Sequence, residues 1–314
     1  MYTNRVAAPQ VPGSVITPGY RAHMMNELPD ARPGGRPRLT RRGRLVLLVA
    51  ATLAVGGAVL LPVLLMTEES GGEKTSTLVI TEGRRATDVY AAVDKALELP
   101  TGTTRNAAAT ARLKLPEEAK GNPEGYLFPA TYPIDSSTTA AGLLSYMVNT
   151  ANKKFTGDHI TAGAQRNGMT TYESVTIASI VEAEAESAAD MPKVARVVHN
   201  RLALGMPLQM DSTLNYALNR NTLDTTHSDT RIDSPYNTYQ HKGLTPTPIG
   251  NPGEQAMDAA LNPSRGEWLY FVTVAKGDTR FTNNYSEHLA NVEEFNENRA
   301  KAKGSASAGT NTEG

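Results

Sequence analysis

Apolar positions change their spacing several times along this chain, and each change marks an element. One stretch has no spacing at all: residues 45–66 (LVLLVAATLAVGGAVLLPVLLM) run 22 residues without a charge. As a helix they would extend roughly 33 Å, enough to cross a bilayer. Residues 77–81 (TLVIT) predict a short strand, and Val89, Ala92, Val93, Ala96 and Leu97 form the stripe of a helix beginning after Thr87. A shorter helix is expected over 103–113, and further helices over 138–155 and 160–167. Val175, Ile177, Ala178, Ile180 and Val181 make the apolar lead-in of a helix from an N-cap at Thr171 to near Ser187. Asp190 and Pro192 open the next helix, 191–204, which Gly205 stops. Asp211 is expected to cap a short helix to Leu218, and another follows Gly253 to about Leu261. Residues 268–275 (WLYFVTVA) are the strongest strand, paired with 279–282, and Ser286 is expected to cap a last helix to Lys303. The fold class is α+β: a small strand-and-helix subdomain docked on a larger, mostly helical domain with a small sheet.

Charge places these elements relative to a membrane. Residues 1–44 hold eight arginines, no lysine, six of the 19 prolines and only two acids, Glu27 and Asp30, which is a disordered basic tail. Arg38, Arg41, Arg42 and Arg44 precede the apolar stretch, and Glu68 and Glu69 follow it. By the positive-inside rule 1–44 is cytoplasmic, 45–66 a single-pass anchor in the lipid bilayer, and 67–314 extracytoplasmic. A cleaved signal peptide would have a shorter apolar core nearer the N-terminus. Residues 67–76 form a linker, 77–120 the small subdomain, 121–303 the larger domain, and 304–314 a Gly/Ser/Thr tail without structure.

The candidate chemistry is that of carboxylates. Cysteine is absent, which removes disulfides and thiolate catalysis, and the six histidines have no metal-ligand spacing. No phosphate-binding loop, dinucleotide fingerprint or serine-hydrolase elbow is present, and a net charge of −1 gives no sign of nucleic-acid binding. No metal or cofactor is implied. Glu182 ends the apolar segment, where desolvation should raise its proton affinity toward the range useful to a general acid. Around it lie tyrosines, amides and long polar loops, the materials of a carbohydrate site. A glycosidase uses two carboxylates across the bond, but one suffices if a sugar hydroxyl closes on the anomeric carbon. The spacing of Glu182, Glu184 and Glu186 decides neither scheme.

Several ordered motifs carry a resemblance: EGYLFPATY at 124–132, ASIVEAE at 178–184, NRL at 200–202, GMPLQ at 205–209, Asp211 with Thr213, YNTY at 236–239, Gly243-Leu244, NPG at 251–253, LNP at 261–263, LYFV at 269–272 and Glu287-His288. Together they are similar to the YceG-like family of membrane-anchored endolytic murein transglycosylases, over about 78–299. The resemblance implies cleavage inside glycan strands of peptidoglycan, between N-acetylmuramic acid and N-acetylglucosamine, leaving 1,6-anhydro-muramyl ends. It puts the catalytic glutamate at Glu182, makes 77–120 a LysM-like subdomain, and implies a place beside cell-wall synthases at the plasma membrane. Gln209, Asn237, Tyr239 and Glu184 are the candidate substrate-binding residues, while Glu124 and Tyr126 are expected to be structural. The chain departs from the family pattern at Ala130, His199, Ser212, Thr245, Thr247 and Leu289. Two alternatives remain: a non-catalytic peptidoglycan-binding membrane scaffold, and a hydrolase with Glu184 or Asp211 as base.

Overall fold

In the computed structural model the centre of the fold is α5 (Thr171–Glu184), and its position follows from its composition. Residues 174–181 are all buried, with the Ser174, Thr176 and Ser179 hydroxyls donating to backbone carbonyls of the same segment, so this helix is enclosed around its whole circumference and other elements must surround it. Thr170, one residue before the expected cap, closes a capping box: its Oγ1 accepts from Glu173 N at 3.1 Å while Glu173 Oε2 accepts from Thr170 N at 2.8 Å. The helix ends at Glu184 rather than near Ser187, which puts Glu182 and Glu184 in its last turn.

The structure describes residues 76–220 and 225–309, with side chains as far as 302. The tail 1–44, the span 45–66 and all of the linker before Ser76 lie outside the described residues, as does 310–314. Among the described residues, no helix is long and apolar enough to cross a membrane.

The chain enters at β1 (Ser76–Val79), continues through α1 (Ala86–Ala96) and α2 (Thr103–Thr110), and returns to β1 as β2 (Thr131–Ile134). The two strands pair antiparallel, Ser76 opposite Ile134 and Val79 opposite Thr131. The strand that completes this β-α-α-β unit thus lies past the boundary at 120 that the sequence suggested. Asp94 joins its two helices: the buried carboxylate accepts from Gly102 N and Thr104 N, both at 2.7 Å, and so caps α2.

After β2 come α3 (Ala140–Phe155), capped by Thr139, and α4 (Asp158–Arg166). Then α5 packs with α6 (Met191–Ala203) and with α8 (Glu254–Leu261), while α7 (Asp211–Ala217) lies near its C-terminal end. Tyr126, stacked on Tyr172 at 6.1 Å and edge-on to Phe155 at 6.0 Å, has the structural role expected of it. The hairpin β3 (Tyr270–Ala275) and β4 (Asp278–Thr282) packs on α9 (Tyr285–Gly309). Asn284, not Ser286, caps α9, its Oδ1 accepting from Ser286 N at 2.8 Å and Glu287 N at 3.2 Å. The helix backbone continues to Gly309, into the stretch expected to be without structure.

Candidate active site

Glu182 leaves α5 half-buried, and its Oε2 accepts from the backbone N–H of Gly253 at 3.1 Å, just before α8 begins. Burial, more than any other influence, pushes its carboxyl above the usual carboxylate range; the Gly253 hydrogen bond opposes the shift and the Glu82 charge adds to it. Glu182 also sits in the last turn of a helix, where the macrodipole disfavours a negative charge. The result is a carboxyl that holds its proton at higher pH than a solvated glutamate would.

Glu184 is two residues on, about 200° around the helix, and faces elsewhere. Its Oε1 accepts from Ser212 N at 3.1 Å in the first turn of α7. Burial raises its pKa as well, with Asp211 adding to the shift and Arg201 opposing it. It lines a groove of about 930 Å³ shared with Arg201, Gln209, Asp211 and Tyr239. Tyr239 donates to Asp211 Oδ1 at 2.6 Å. Arg201 is buried, with Nε to Leu269 O and Nη1 to Leu208 O, both at 2.6 Å, so the guanidinium braces the groove floor from within. Gln209 is exposed and takes a left-handed backbone conformation, φ +51°, a strained state for a non-glycine residue. Tyr270, Phe271, Tyr285 and His288 form an aromatic wall.

Three of the four expected substrate-binding residues, Glu184, Gln209 and Tyr239, therefore share one groove. Asn237 does not join them. It is 0 % exposed; its Nδ2 donates to Thr230 O at 3.2 Å and Ile232 O at 2.9 Å, and its Oδ1 accepts from Tyr239 N at 3.0 Å. Both amide protons are used and the side chain is fully buried, so Asn237 holds the loop that presents Tyr239 and does not face the groove. Among the described residues Glu182 is not part of the groove wall; its neighbour Ala183 is.

Nothing in the residues around Glu82 marks it as functional. The Glu82-Gly83 turn leaves β1 and lies over Glu182: a Cβ at Gly83 would stand 3.6 Å from Glu182 Cγ. Gly83 N donates to Asn251 O at 2.8 Å, and Asn251 returns with its backbone N and Nδ2 to Arg84 O at 2.9 and 2.7 Å. Glu124, expected to be structural, is 3 % exposed and joins the same junction by accepting from Ala86 N at 2.9 Å and from Tyr216 OH at 3.1 Å. Burial raises its pKa to about 7. Among the described residues no group of three His, Asp or Glu is placed to hold a metal ion.

This chain is similar to known proteins. The sequence profile of the YceG-like family matches residues 62–294. An endolytic murein transglycosylase of Bacillus subtilis (strain 168) is 39 % identical over 173 residues, 55 % of this chain and 48 % of the relative. An endolytic murein transglycosylase of Streptococcus pneumoniae serotype 2 is 38 % identical over 177 residues, 54 % of this chain and 32 % of the relative. The match thus spans about half the length of the first relative and about a third of the second. The crystal structure of a yceG-like protein from Listeria monocytogenes superposes with a TM-score of 0.60 at 30 % identity, covering 69 % of this chain and 75 % of that one.

Proposed function

This chain belongs to the YceG-like family, and from that footing we propose that it is an endolytic lytic transglycosylase of peptidoglycan, with Glu182 as its acid and then its base. The observation that carries the reading is the setting of Glu182: a half-buried carboxyl with raised proton affinity, one residue before Ala183 in the wall of a groove lined by tyrosines and polar side chains. The similarity to murein transglycosylases supports the substrate class.

The step needs no water. Glu182 gives its proton to the glycosidic oxygen, and the bond from that oxygen to C1 of N-acetylmuramic acid breaks. N-acetylglucosamine departs with a new 4-hydroxyl. The muramyl 6-hydroxyl oxygen closes on C1, its proton passes to the Glu182 carboxylate, and a 1,6-anhydro end results. A hydrolase would need a second carboxylate across the bond. Glu184 faces Ser212 and Asp211 accepts from Tyr239, which supports the reading with Glu182 alone.

The proposal extends to the parts outside the site. Residues 45–66 anchor the enzyme in the plasma membrane with 1–44 cytoplasmic, which keeps it close to newly made strands and to the synthases that make them. The β-α-α-β unit acts as a LysM-like glycan holder. Mass spectrometry of sacculi digested by the protein tests the reaction: anhydro-muropeptides are expected, internal in origin. Reducing ends one water heavier would indicate hydrolysis, and binding without new chain ends would indicate a scaffold.

A further inference from the structure

Two carboxylates from different parts of the chain meet at Gly253. Its N–H is bonded to Glu182 Oε2 at 3.1 Å, while its Cα side faces the other acid: a Cβ there would stand 1.8 Å from Glu82 Oε1 and 2.3 Å from Glu82 Cδ. The Glu82 carboxyl thus occupies the space left by the missing side chain. Three backbone and side-chain hydrogen bonds between Asn251 and residues 83–84 fix the turn that carries it. At Gly250 a Cβ would meet Gly83 O at 2.8 Å, so the two segments touch through their main chains as well.

We propose that Glu82, supplied by the small β-α-α-β unit, is a positioning residue for the reaction: its charge beside Gly253 helps keep the proton on Glu182, so the docked unit extends the pH range over which the acid is competent. The inference rests on the transglycosylase reading, which gives Glu182 its role, and goes beyond it by making the glycan-holding unit part of the acid's electrostatics.

The other charges on these segments are committed elsewhere. Arg84 Nε donates to Thr81 Oγ1 at 3.2 Å, Glu254 pairs with Lys154 at 2.6 Å, Glu184 takes Ser212 N, and Glu186 takes Gly277 N. Glu82 is left as the charge that acts on Glu182. It is exposed, so water screens the interaction, and a pair screened nearly as in bulk water couples by roughly half to one pH unit.

The sign follows from the role. Glu182 must be protonated at the start, so the rate falls as pH rises through its pKa. Removing a nearby negative charge lowers that pKa and moves the alkaline limb to lower pH. The test combines the pH profile of anhydro-muropeptide release with a carboxyl-carbon NMR titration of Glu182, in the full-length protein and in Glu82→Gln, Glu82→Asp and Gly253→Ala.

Expected are a downward shift of roughly half to one unit in both measurements for Glu82→Gln, recovery in Glu82→Asp, and the same shift in Gly253→Ala. Gly253 has φ −81° and ψ 176°, which alanine adopts without strain, so that variant displaces the Glu82 side chain while keeping the N–H to Glu182. An unshifted Glu182 titration in Glu82→Gln overturns the inference, as does a rate loss equal at every pH that Glu82→Asp does not restore. The titration does not depend on turnover. A wild-type protein that releases no anhydro ends would therefore count against the enzyme reading while the coupling is still decided.

Discussion

Glu182 and Glu184 stand two residues apart in one helical turn, yet each carboxylate is held by a different backbone N–H: Gly253 for the first, Ser212 for the second, both at 3.1 Å. That divergence separates chemistry from binding. Glu182→Gln keeps an oxygen for Gly253 but has no proton to give, so release of anhydro-muropeptides should fall by at least about 100-fold with the thermal midpoint nearly unchanged. Glu184→Gln keeps the Ser212 contact and should act mainly through KM. Steady-state kinetics of both variants, with a melting curve for each, check the division.

Asn237 separates a loop anchor from a ligand. Asn237→Ala removes three hydrogen bonds and leaves Thr230 O, Ile232 O and the Tyr239 N–H without that partner inside the fold. A stability loss of roughly 2–4 kcal/mol by urea denaturation is expected. Activity at a temperature where the variant is folded should fall much less than in Glu182→Gln. A variant of unchanged stability with a large rise in KM would return Asn237 to the substrate groove.

The sequence disclosed much of this architecture because periodicity is a local signal. The helix 191–204 and the hairpin at 268–282 were legible from their own residues, and so was the burial of Val175, Ile177, Ala178, Ile180 and Val181. What periodicity could not show was which distant segments meet. The YNTY motif looks like surface chemistry, but the fold turns Asn237 inward and Tyr239 toward Asp211. Glu82-Gly83 has the composition of an ordinary turn; its meaning depends on Asn251 and Gly253, about 170 positions away. Three of the residues that depart from the family pattern make hydrogen bonds of their own: Thr247 Oγ1 pairs with Tyr236 OH at 2.9 Å, Thr245 Oγ1 donates to Thr247 O at 2.8 Å, and His199 Nε2 bonds Ala260 O at 2.9 Å.

Glu124 gives the stability of the junction a pH dependence. Burial raises its folded pKa from 4.5 to about 7 against the lowering effects of Ala86 N, Tyr216 and Arg85, with Asp88 adding to the rise. Between those values the native state holds a proton that the unfolded chain has released, so stability falls as pH rises through the window, by at most roughly 3 kcal/mol. Glu124→Gln can still accept from Ala86 N and has no charge to bury. It should therefore match wild type near pH 5 and exceed it near pH 8 in urea midpoint. Parallel loss in both proteins across that range would assign the dependence to another group.

Gly125 tests how tightly the 124–132 segment is seated. Its φ of +85° disfavours any L side chain, and a Cβ would lie 2.5 Å from Pro248 Cγ and 3.1 Å from Val175 Cγ1 on the central helix. A proline ring cannot swing away as a lysine tip would, so backbone strain and steric overlap add. Gly125→Ala should lose roughly 2–4 kcal/mol in urea unfolding.

The aromatic wall of the groove can be tested without disturbing the core. Tyr285 is 58 % exposed and lies 5.5 Å from Tyr270, ring to ring, at the start of α9. A large ring that stays this open to solvent contributes little to folding and is free to pack on a sugar face. Tyr285→Ala should raise KM for glycan strands by roughly 3–30-fold, equivalent to about 0.7–2 kcal/mol of lost contact, and shift the melting midpoint by no more than a degree or two. Tyr285→Phe keeps the ring and should keep the affinity. If the alanine variant binds insoluble peptidoglycan and turns it over as wild type does, the glycan runs elsewhere, and Glu182 must be reached from the side of the Glu82-Gly83 turn.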